Sequence, residues 1–451
     1  MDPTSTYIFA FLVVLALLCA KWYSSDKLKR FPGPLLARWT RIYQAYYDNI
    51  VGGGWHSQLQ RLHEEYGPVV RVAPNELHFA DPNAYADIYS SPARFLKDPG
   101  FYRTFDLGTT PSVFSTHDPK EHSVTKSLLG SYFSRQNILK LEALVQERVD
   151  KLVSQLAENH QQTPADMNHA YHSVTLDLII LYLFRTKLDA TSYPSFCHPV
   201  VLANEIAFTK MWTIKHLDFV RRLINAAPKW MGPLLSPPSK PLFETQNMIE
   251  KLVDKALQES HDYDPESDDL PNVFQTLVSN ARVEGKLRQS KHVTKAWLVS
   301  QGVTLMGAGS DTTGNACIIG TRHVIKDERV RTKLQQELDE AWPDVKNLMP
   351  LERLEKLPYL TAVVKESLRL SHGVVSPMGR VVPEPGAVIA GHPIPPSTIV
   401  SITNTFVHKN ADVFPDPERF YPERWLEDKD HVLDRYLVSF GKGPRACLGI
   451  K

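Results

Sequence analysis

A chain of 451 residues that sets 51 Lys and Arg against 50 Asp and Glu carries a formal charge of +1, which removes the electrostatic case for a nucleic-acid partner and favours small-molecule chemistry. The length suits one large domain organised round a buried cofactor, or two or three ordinary domains, and no linker long enough to divide it is present. The four cysteines, Cys19, Cys197, Cys317 and Cys447, form neither a CxxC pair nor a disulfide framework, which places the main domain in a reducing compartment.

Pro3 to Ala20 are free of charge, and at about 1.5 Å per residue they would span roughly 27 Å as a helix, enough for a thin bilayer. Lys21, Lys27, Lys29 and Arg30 follow, while Asp2 is the sole side-chain charge before them, so the large domain is expected on the cytosolic side. With no basic residue ahead of the run, a membrane anchor over residues 1–22 is favoured over a cleaved signal peptide. Residues 23–36, with Phe31-Pro32-Gly33-Pro34, read as a basic, proline-rich hinge, since proline fixes φ and cannot continue a helix.

Residues 37–451 form the main domain. Periodicity predicts a helix over Trp55 to Tyr66, short strands at Val69 to Val72 and Glu76 to Ala80, and a helix after Asp81 and Pro82. Further helices are expected at Pro119 to Phe133, Ser134 to Glu158, Met167 to Leu183, Leu242 to Glu259, Leu270 to Val283 and Tyr359 to Leu370, with a solvated acidic loop at His261 to Asp269. The fold class is therefore mainly α with a small β region. A long helical run from Thr294 to Lys326 carries Gly302, Gly307, Gly309 and Gly314. Because glycine costs a helix roughly 1 kcal/mol relative to alanine, such a cluster predicts close approach of a ligand, a local break, or a glycine-rich helix crossing.

Near the C-terminus Phe440, Gly443, Arg445, Cys447 and Gly449 stand at the spacing F-x-x-G-x-R-x-C-x-G. Glycines let the backbone turn tightly and aim N–H groups at a sulfur, so the loop can present a thiolate to a metal. The segment FGKGPRACLG resembles the haem-binding loop of the cytochrome P-450 superfamily, the haem-thiolate monooxygenases. The resemblance covers most of the chain, and its texture is similar to filamentous-fungal enzymes of secondary metabolism of the trichodiene-oxygenase type. It implies the P-450 fold, haem b with Cys447 as the axial thiolate, Arg445 beside a propionate, Phe440 as a packing wall, and Gly443 and Gly449 close to the porphyrin.

The same resemblance assigns further residues. Ala308-Gly309-Ser310-Asp311-Thr312 is similar to the family's oxygen-binding motif, in which Thr312 would orient a proton-bearing water and Asp311 would supply it, although a helical threonine often bonds back to a carbonyl four residues earlier. Glu366 and Arg369, three apart on a helix, would form a buried network with Arg424 of the F-x-P-E-R-W-like segment Phe420 to Trp425, in preference to Arg419 of an overlapping copy. His122, Lys126, Arg380 and Arg445 match the family's propionate partners, with Lys126 where arginine is usual. Segments near Phe101 to Val113, Cys197 to Leu217, Met306 to Thr312 and Gly373 to Met378 would line the substrate pocket, with Phe208, Met211 and Trp212 suited to a lipophilic molecule, and Trp230, Met231, Leu234 and Leu235 would dip into the membrane.

Family members continue for several dozen residues past the cysteine, with a helix facing the haem and a closing hairpin, whereas Leu448, Gly449, Ile450 and Lys451 alone follow it here; a shortened chain with weakened haem retention is therefore expected. The function implied is a monooxygenase inserting one oxygen atom from dioxygen into a lipophilic terpenoid or polyketide, with electrons from NADPH through a reductase, at the endoplasmic reticulum membrane by a single span. The alternatives are an inactive haem-binding or apo paralogue, and a haem-thiolate isomerase or dehydratase, against which Asp311 and Thr312 argue.

Overall fold

The computed structural model describes residues 26–91, 95–106, 110–226, 240–260, 272–282 and 293–450. The expected anchor at residues 1–22, the acidic stretch 261–269 and residues 230–235 lie outside the described residues. Among the described residues no helix is long and apolar enough to cross a membrane.

The β region is built first. Helix α1 (Trp55–Tyr66) buries Trp55, Leu59 and Leu62, one stripe at helical spacing, against Val70 and Val72 of strand β1 (Val69–Ala73). The chain turns into β2 (Glu76–Phe79), passes through helix α2 (Asn83–Tyr89), and reaches the two-residue strand β3 (Leu96–Lys97). Strands β4 (Arg380–Val381) and β7 (Ile399–Ser401) return from late in the sequence to give the order β1-β2-β7-β4-β3, and β5 (Ala387–Ile389) with β6 (His392–Ile394) forms a separate hairpin. Only β2 and β7 pair in parallel, and the β3–β4 register places Lys97 opposite Arg380.

Residues 26–33, within the expected hinge, are docked on this sheet. Leu28 and Phe31 are buried in its core, the Arg71 N–H donates to Pro32 O at 2.7 Å, and Arg71 pairs with Asp26. A Cβ at Gly33 would fall 2.2 Å from Arg71 O, so the elbow approaches β1 more closely than any side chain permits.

The helical part comprises α3 (Pro119–Gly130), α4 (Glu142–Asn159), α5 (Met167–Phe184), α6 (Pro199–His216), α7 (Lys240–Glu259), α8 (Val273–Arg282), α9 (Lys295–Lys326), α10 (Glu328–Ala341) and α11 (Pro358–Ser371). The expected helix over Ser134 to Glu158 is divided into Arg135–Leu139 and α4. Residues 199–216, named at first only as a pocket-lining stretch, are helical: Pro199 occupies the first turn, and the His198 ring accepts the Val200 N–H at 3.2 Å.

Helix α9 runs unbroken for 32 residues, and most of its glycines face protein. A Cβ at Gly302 would lie 2.8 Å from Ile249, at Gly309 2.9 Å from Ile179, and at Gly314 2.2 Å from His172. Tyr171 bonds Thr321 and Thr175 bonds the Ser310 carbonyl, so α5 and α9 cross antiparallel at side-chain-free distance. The crossing reading holds for three of the four; Gly307 alone faces open space.

Histidines crowd the seam between the sheet and the C-terminal half. His63 Nε2 meets His78 Nδ1 at 2.7 Å, the rings of His56, His63 and His78 surround Phe406, and His372 stacks on His408, whose Nε2 accepts the Val438 N–H at 2.9 Å. Burial lowers His63 to about 4 and His372 to about 3, and holds His78 and His408 well below the ordinary value. These imidazoles are neutral in the fold but take up protons near pH 6.5 once unfolded, so stability is whole above that pH and falls below it. We expect the urea midpoint to drop from pH 7 to pH 5, the slope approaching about 1.4 kcal/mol per pH unit for each such histidine. His63→Gln should make the profile shallower by about one proton; an unaltered slope would show that this ring titrates alike in both states.

Candidate active site

The cysteine loop is folded by its own backbone. The Cys447 N–H donates to Phe440 O at 2.8 Å and the Ala446 N–H to Gly443 O at 3.0 Å. Gly443 adopts φ +70°, and a Cβ there would fall 2.3 Å from Tyr89 O, so this glycine is needed where the loop crosses the end of α2. Gly449 has an ordinary φ of −85° and room for a Cβ, which gives it no conformational reason to be glycine. Helix α3 clamps the loop through Lys126, whose Nζ donates to Pro444 O at 2.9 Å and Ala446 O at 3.2 Å. Cys447 is exposed; desolvation by its neighbours pushes the thiol up, opposed by the Gly449 N–H and by Lys126. Leu448 packs on Gly130 and into the core that holds Met306, so the loop and α9 share one packing unit.

Beside the loop, positive charge accumulates. Arg445 donates from Nη1 to Thr116 O and from Nη2 to His117 O, each at 2.9 Å, and burial with the neighbouring Arg380 lowers it to about 10. Arg380 is 5% exposed, donates to Tyr102 OH at 2.7 Å, and lies over the Tyr89 and Tyr102 rings. Lys97, 4% exposed, donates to Phe114 O; burial, then Arg380, Arg445 and Lys126, push it well below the usual lysine value. His122 is buried and held to about 3 by burial and by the same cations. Among the described residues none of these groups has a carboxylate within ion-pair distance.

Buried like charges placed across a strand pair oppose folding unless an anion answers them. A group with two carboxylates fits this cluster, and a metal with an open thiolate position fits Cys447; haem carries both. Lys97 was missed from the sequence. Its signal is slight, a lysine after Phe95 and Leu96 followed at once by Asp98, which caps Gly100 and Phe101.

On α9 the exposed Ala308 and Thr312 lie one turn apart, and the Thr312 hydroxyl donates back to Ala308 O at 2.8 Å, the local bond common for a helical threonine. Asp311 points elsewhere. Its Oδ2 accepts from Asn204 Nδ2 at 3.0 Å and from Ser310 Oγ at 3.1 Å, and burial pushes its carboxyl up. The two side chains share a helix turn but no hydrogen bond. Asn204 of α6 is a second residue that the sequence did not single out.

Glu366, Arg369 and Arg424 are brought together. Arg369 makes a two-pronged bond to Glu366 at 2.8 and 2.9 Å, and Arg424 Nε reaches the same carboxylate at 3.1 Å, joined by Trp425 Nε1 at 3.0 Å and the Tyr421 N–H at 2.9 Å. Arg369 also binds the carbonyls of His408 and Pro417, each at 2.7 Å. Arg419 contributes its carbonyl to both guanidiniums.

The sequence profile of the family described as cytochrome P-450 matches residues 32–451. Among curated proteins the chain is similar to the cytochrome P-450 monooxygenase tpcC of Cochliobolus heterostrophus, 32% identical over 99% of this chain and 83% of that protein. It is similar also to the conidiogenone synthase of Penicillium rubens, 33% identical over 94% of this chain and 83% of the relative. The tryptophan 6-hydroxylase fscE of Fusarium equiseti is 32% identical over 98% and 86%. With the profile spanning the sheet, the long helix and the cysteine loop, the chain belongs to the cytochrome P-450 family, the haem-thiolate monooxygenases.

Proposed function

We propose that this monooxygenase binds haem through Cys447 and oxidises a lipophilic secondary metabolite at a membrane surface. The observation that carries the cofactor assignment is the buried cluster of Lys97, Arg380, Arg445 and His122, which lacks a carboxylate among the described residues and stands beside an accessible thiol. Haem, when bound, supplies iron that activates dioxygen with two electrons and places one oxygen atom in the substrate, the other leaving as water. The chain's own residues do the rest. Lys97, Arg380 and Arg445 neutralise the propionates, and the His122 ring, neutral in this setting, donates from nitrogen. Lys126 holds the Pro444 and Ala446 carbonyls and so fixes the direction in which Cys447 presents its sulfur. Thr312, by giving its proton to Ala308 O, leaves its oxygen lone pairs free to accept from a water in the accessible stripe, and Asp311, once turned from Asn204 and Ser310, would supply that water with a proton.

Electrons come from NADPH through a reductase. The relatives include a conidiogenone synthase and a tryptophan 6-hydroxylase, both fungal, which supports a small natural product as substrate. The membrane reading is supported by an apolar surface next to the hinge: Leu35, Leu36, Trp39, Ile42 and Ile50 are exposed, as are Phe219 and Leu223. Thr213 bonds Asn49 at 2.8 Å and His216 bonds Asp48 at 2.7 Å, which ties the end of α6 to this face, and the exposed Lys27, Lys29 and Arg30 precede it in the chain. On this reading residues 1–22 anchor the chain in the endoplasmic reticulum membrane and residues 23–36, of which 26–33 dock on the sheet, set the angle of the cytosolic domain over the bilayer.

Three variants test the reading. The reduced, carbon-monoxide-bound protein should show a strongly red-shifted Soret band that Cys447→Ser abolishes; survival of the band in the variant removes the thiolate assignment. Thr312→Ala should bind haem normally but raise hydrogen peroxide output per NADPH several-fold, and an unchanged ratio would leave the hydroxyl a purely structural group. Lys97→Met should act oppositely on the two states: the haem-free protein gains stability, about 1 kcal/mol, because a buried unpaired charge is gone, while haem affinity falls roughly tenfold with the loss of a charge-assisted bond. Weaker haem binding with an unstable apoprotein would instead mean that Lys97 serves the fold.

A further inference from the structure

On α9 the stripe that carries Thr312 and Ala308 continues toward the start of the helix. Thr312, Ala308, Thr304 and Gln301 stand at the spacing of one helical face, and exposure falls along it: Thr312 and Ala308 are exposed, Thr304 is half-buried and Gln301 is 0% exposed. From Gln301 to Ala308 is about 10 Å along the axis. The roles given to Asp311 and Thr312 make no use of this end of the stripe.

The Gln301 amide is half used. Its Oε1 accepts the Val113 N–H at 2.9 Å, while its Nε2, shut off from solvent, has no hydrogen-bond partner among the described residues. A backbone N–H can be met only by the amide oxygen, so this bond fixes which way the amide is turned and leaves the NH2 group on the other side. The surroundings are apolar. Trp297, Leu298 and Leu305, each within a turn of Gln301 on α9, belong with Val113 to one hydrophobic core. Accepting from Val113 accounts for the oxygen of residue 301; the nitrogen, a buried donor that costs stability while unpaired, has no use in the fold.

The segment that Gln301 holds also belongs to the cation cluster. In residues 112–116 the Thr116 hydroxyl donates to Ser112 O at 2.6 Å and the Ser112 N–H to Ser115 Oγ at 2.9 Å, so the turn is tight. Its Phe114 carbonyl accepts from Lys97, and its Thr116 carbonyl accepts from Arg445 at 2.9 Å. Gln301 therefore joins the Ala308–Thr312 stripe to the loop whose carbonyls hold two of the cluster's cations.

We propose that Gln301 is a specificity-determining residue whose Nε2 donates a hydrogen bond to a carbonyl or hydroxyl oxygen of the substrate. The inference rests on the reading that haem at Cys447 leaves the substrate beside Ala308 and Thr312. The substrate is then a lipophilic skeleton that already bears oxygen at one end, about 10 Å along α9 from Ala308. A reaction that installs oxygen must precede this one. A bare hydrocarbon would leave the amide unpaired, and a site built to bond a polar group discriminates against the analogue that lacks it.

The test uses the full chain loaded with haem and matched probes, androstane against androstan-3-one and undecane against 2-undecanone, with binding read from the displacement of the Soret band. The ratio of ketone to hydrocarbon affinity is compared between the unaltered protein and Gln301→Met, which keeps the length and lacks the N–H groups. That ratio should fall about fivefold in the variant, the worth of one neutral hydrogen bond, while hydrocarbon affinity holds or rises. An equal ratio in the two proteins, or no ketone bound by the unaltered protein, overturns the assignment. A merely structural amide would lower the melting temperature and weaken ketone and hydrocarbon alike. If Gln301→Met does not fold, Gln301→Glu at pH 8 carries the same comparison: it still accepts from Val113 and lacks the NH2 group, so a preserved ratio there overturns the proposal. The underlying reading fails separately. A red-shifted carbon-monoxide band that survives Cys447→Ser removes haem at the cysteine, whereas loss of that band beside an unchanged ketone ratio in Gln301→Met removes the role of the amide alone.

Discussion

Lys97 and Arg380 stand opposite each other across β3 and β4, with Arg445 and His122 close enough to feel both charges. Much of the rest depends on this uncompensated cluster. The strand pair that creates it is two residues long on each side and gains little from its own hydrogen bonds. It persists because Tyr89, Tyr102 and Phe114 supply ring faces to the cations and backbone carbonyls take their protons. Those contacts ease the burial of charge without cancelling it. A ligand with two carboxylates would complete the electrostatics, and on the proposed reading that ligand is a haem whose iron would stand at the adjacent cysteine. Charge and ligation thus constrain one another.

Helix α9 satisfies two incompatible demands with one sequence. Against α5 it must come close, and Gly302, Gly309 and Gly314 remove the side chains that would prevent it. On the other stripe it must leave room, and Gly307, Ala308 and Thr312 do so without breaking the helix. Glycine in a helix interior lowers stability by about 1 kcal/mol each, and the tight packing of Ile179, Phe184 and Ile249 offsets it through buried apolar area.

The chain's chemistry was legible where a motif fixes backbone geometry. The cysteine loop, the Glu366–Arg369–Arg424 network and the long helix could be read because their residue types sit at short, fixed spacings. The sheet was only half visible: β1 and β2 alternate and turn, but β3 and β4 are too short to carry a period and pair across about 280 residues. Lys97 was therefore invisible as a partner of Arg380, although a lysine in an apolar run was there to be noticed. The α9 glycines could be read as ligand contact, kink or crossing, and sequence could not choose, since the deciding atoms belong to Ile179, Ile249 and His172. Asp311 and Thr312 are adjacent in sequence but 100° apart on a helix, so adjacency never implied contact.

The two polar cores of the C-terminal half differ in kind. Glu366 is fully buried, yet its two oxygens accept from Arg369, Arg424, Trp425 and the Tyr421 backbone, and the guanidiniums spend their remaining donors on carbonyls of residues 408–419. That network is complete within the polypeptide; a buried ion pair so fully bonded specifies one arrangement of α11 and the segment 408–425 whether or not a cofactor is present. The cation cluster is complete only with an external anion. The cysteine loop bridges them: Ser439 Oγ bonds Leu368 O on α11 at 2.7 Å, while Arg445, six residues later, holds Thr116 and His117. One end of the loop is therefore anchored to a scaffold that needs nothing further, and the other to a region whose charges favour a bound dianion. Cys447 lies just beyond the second end.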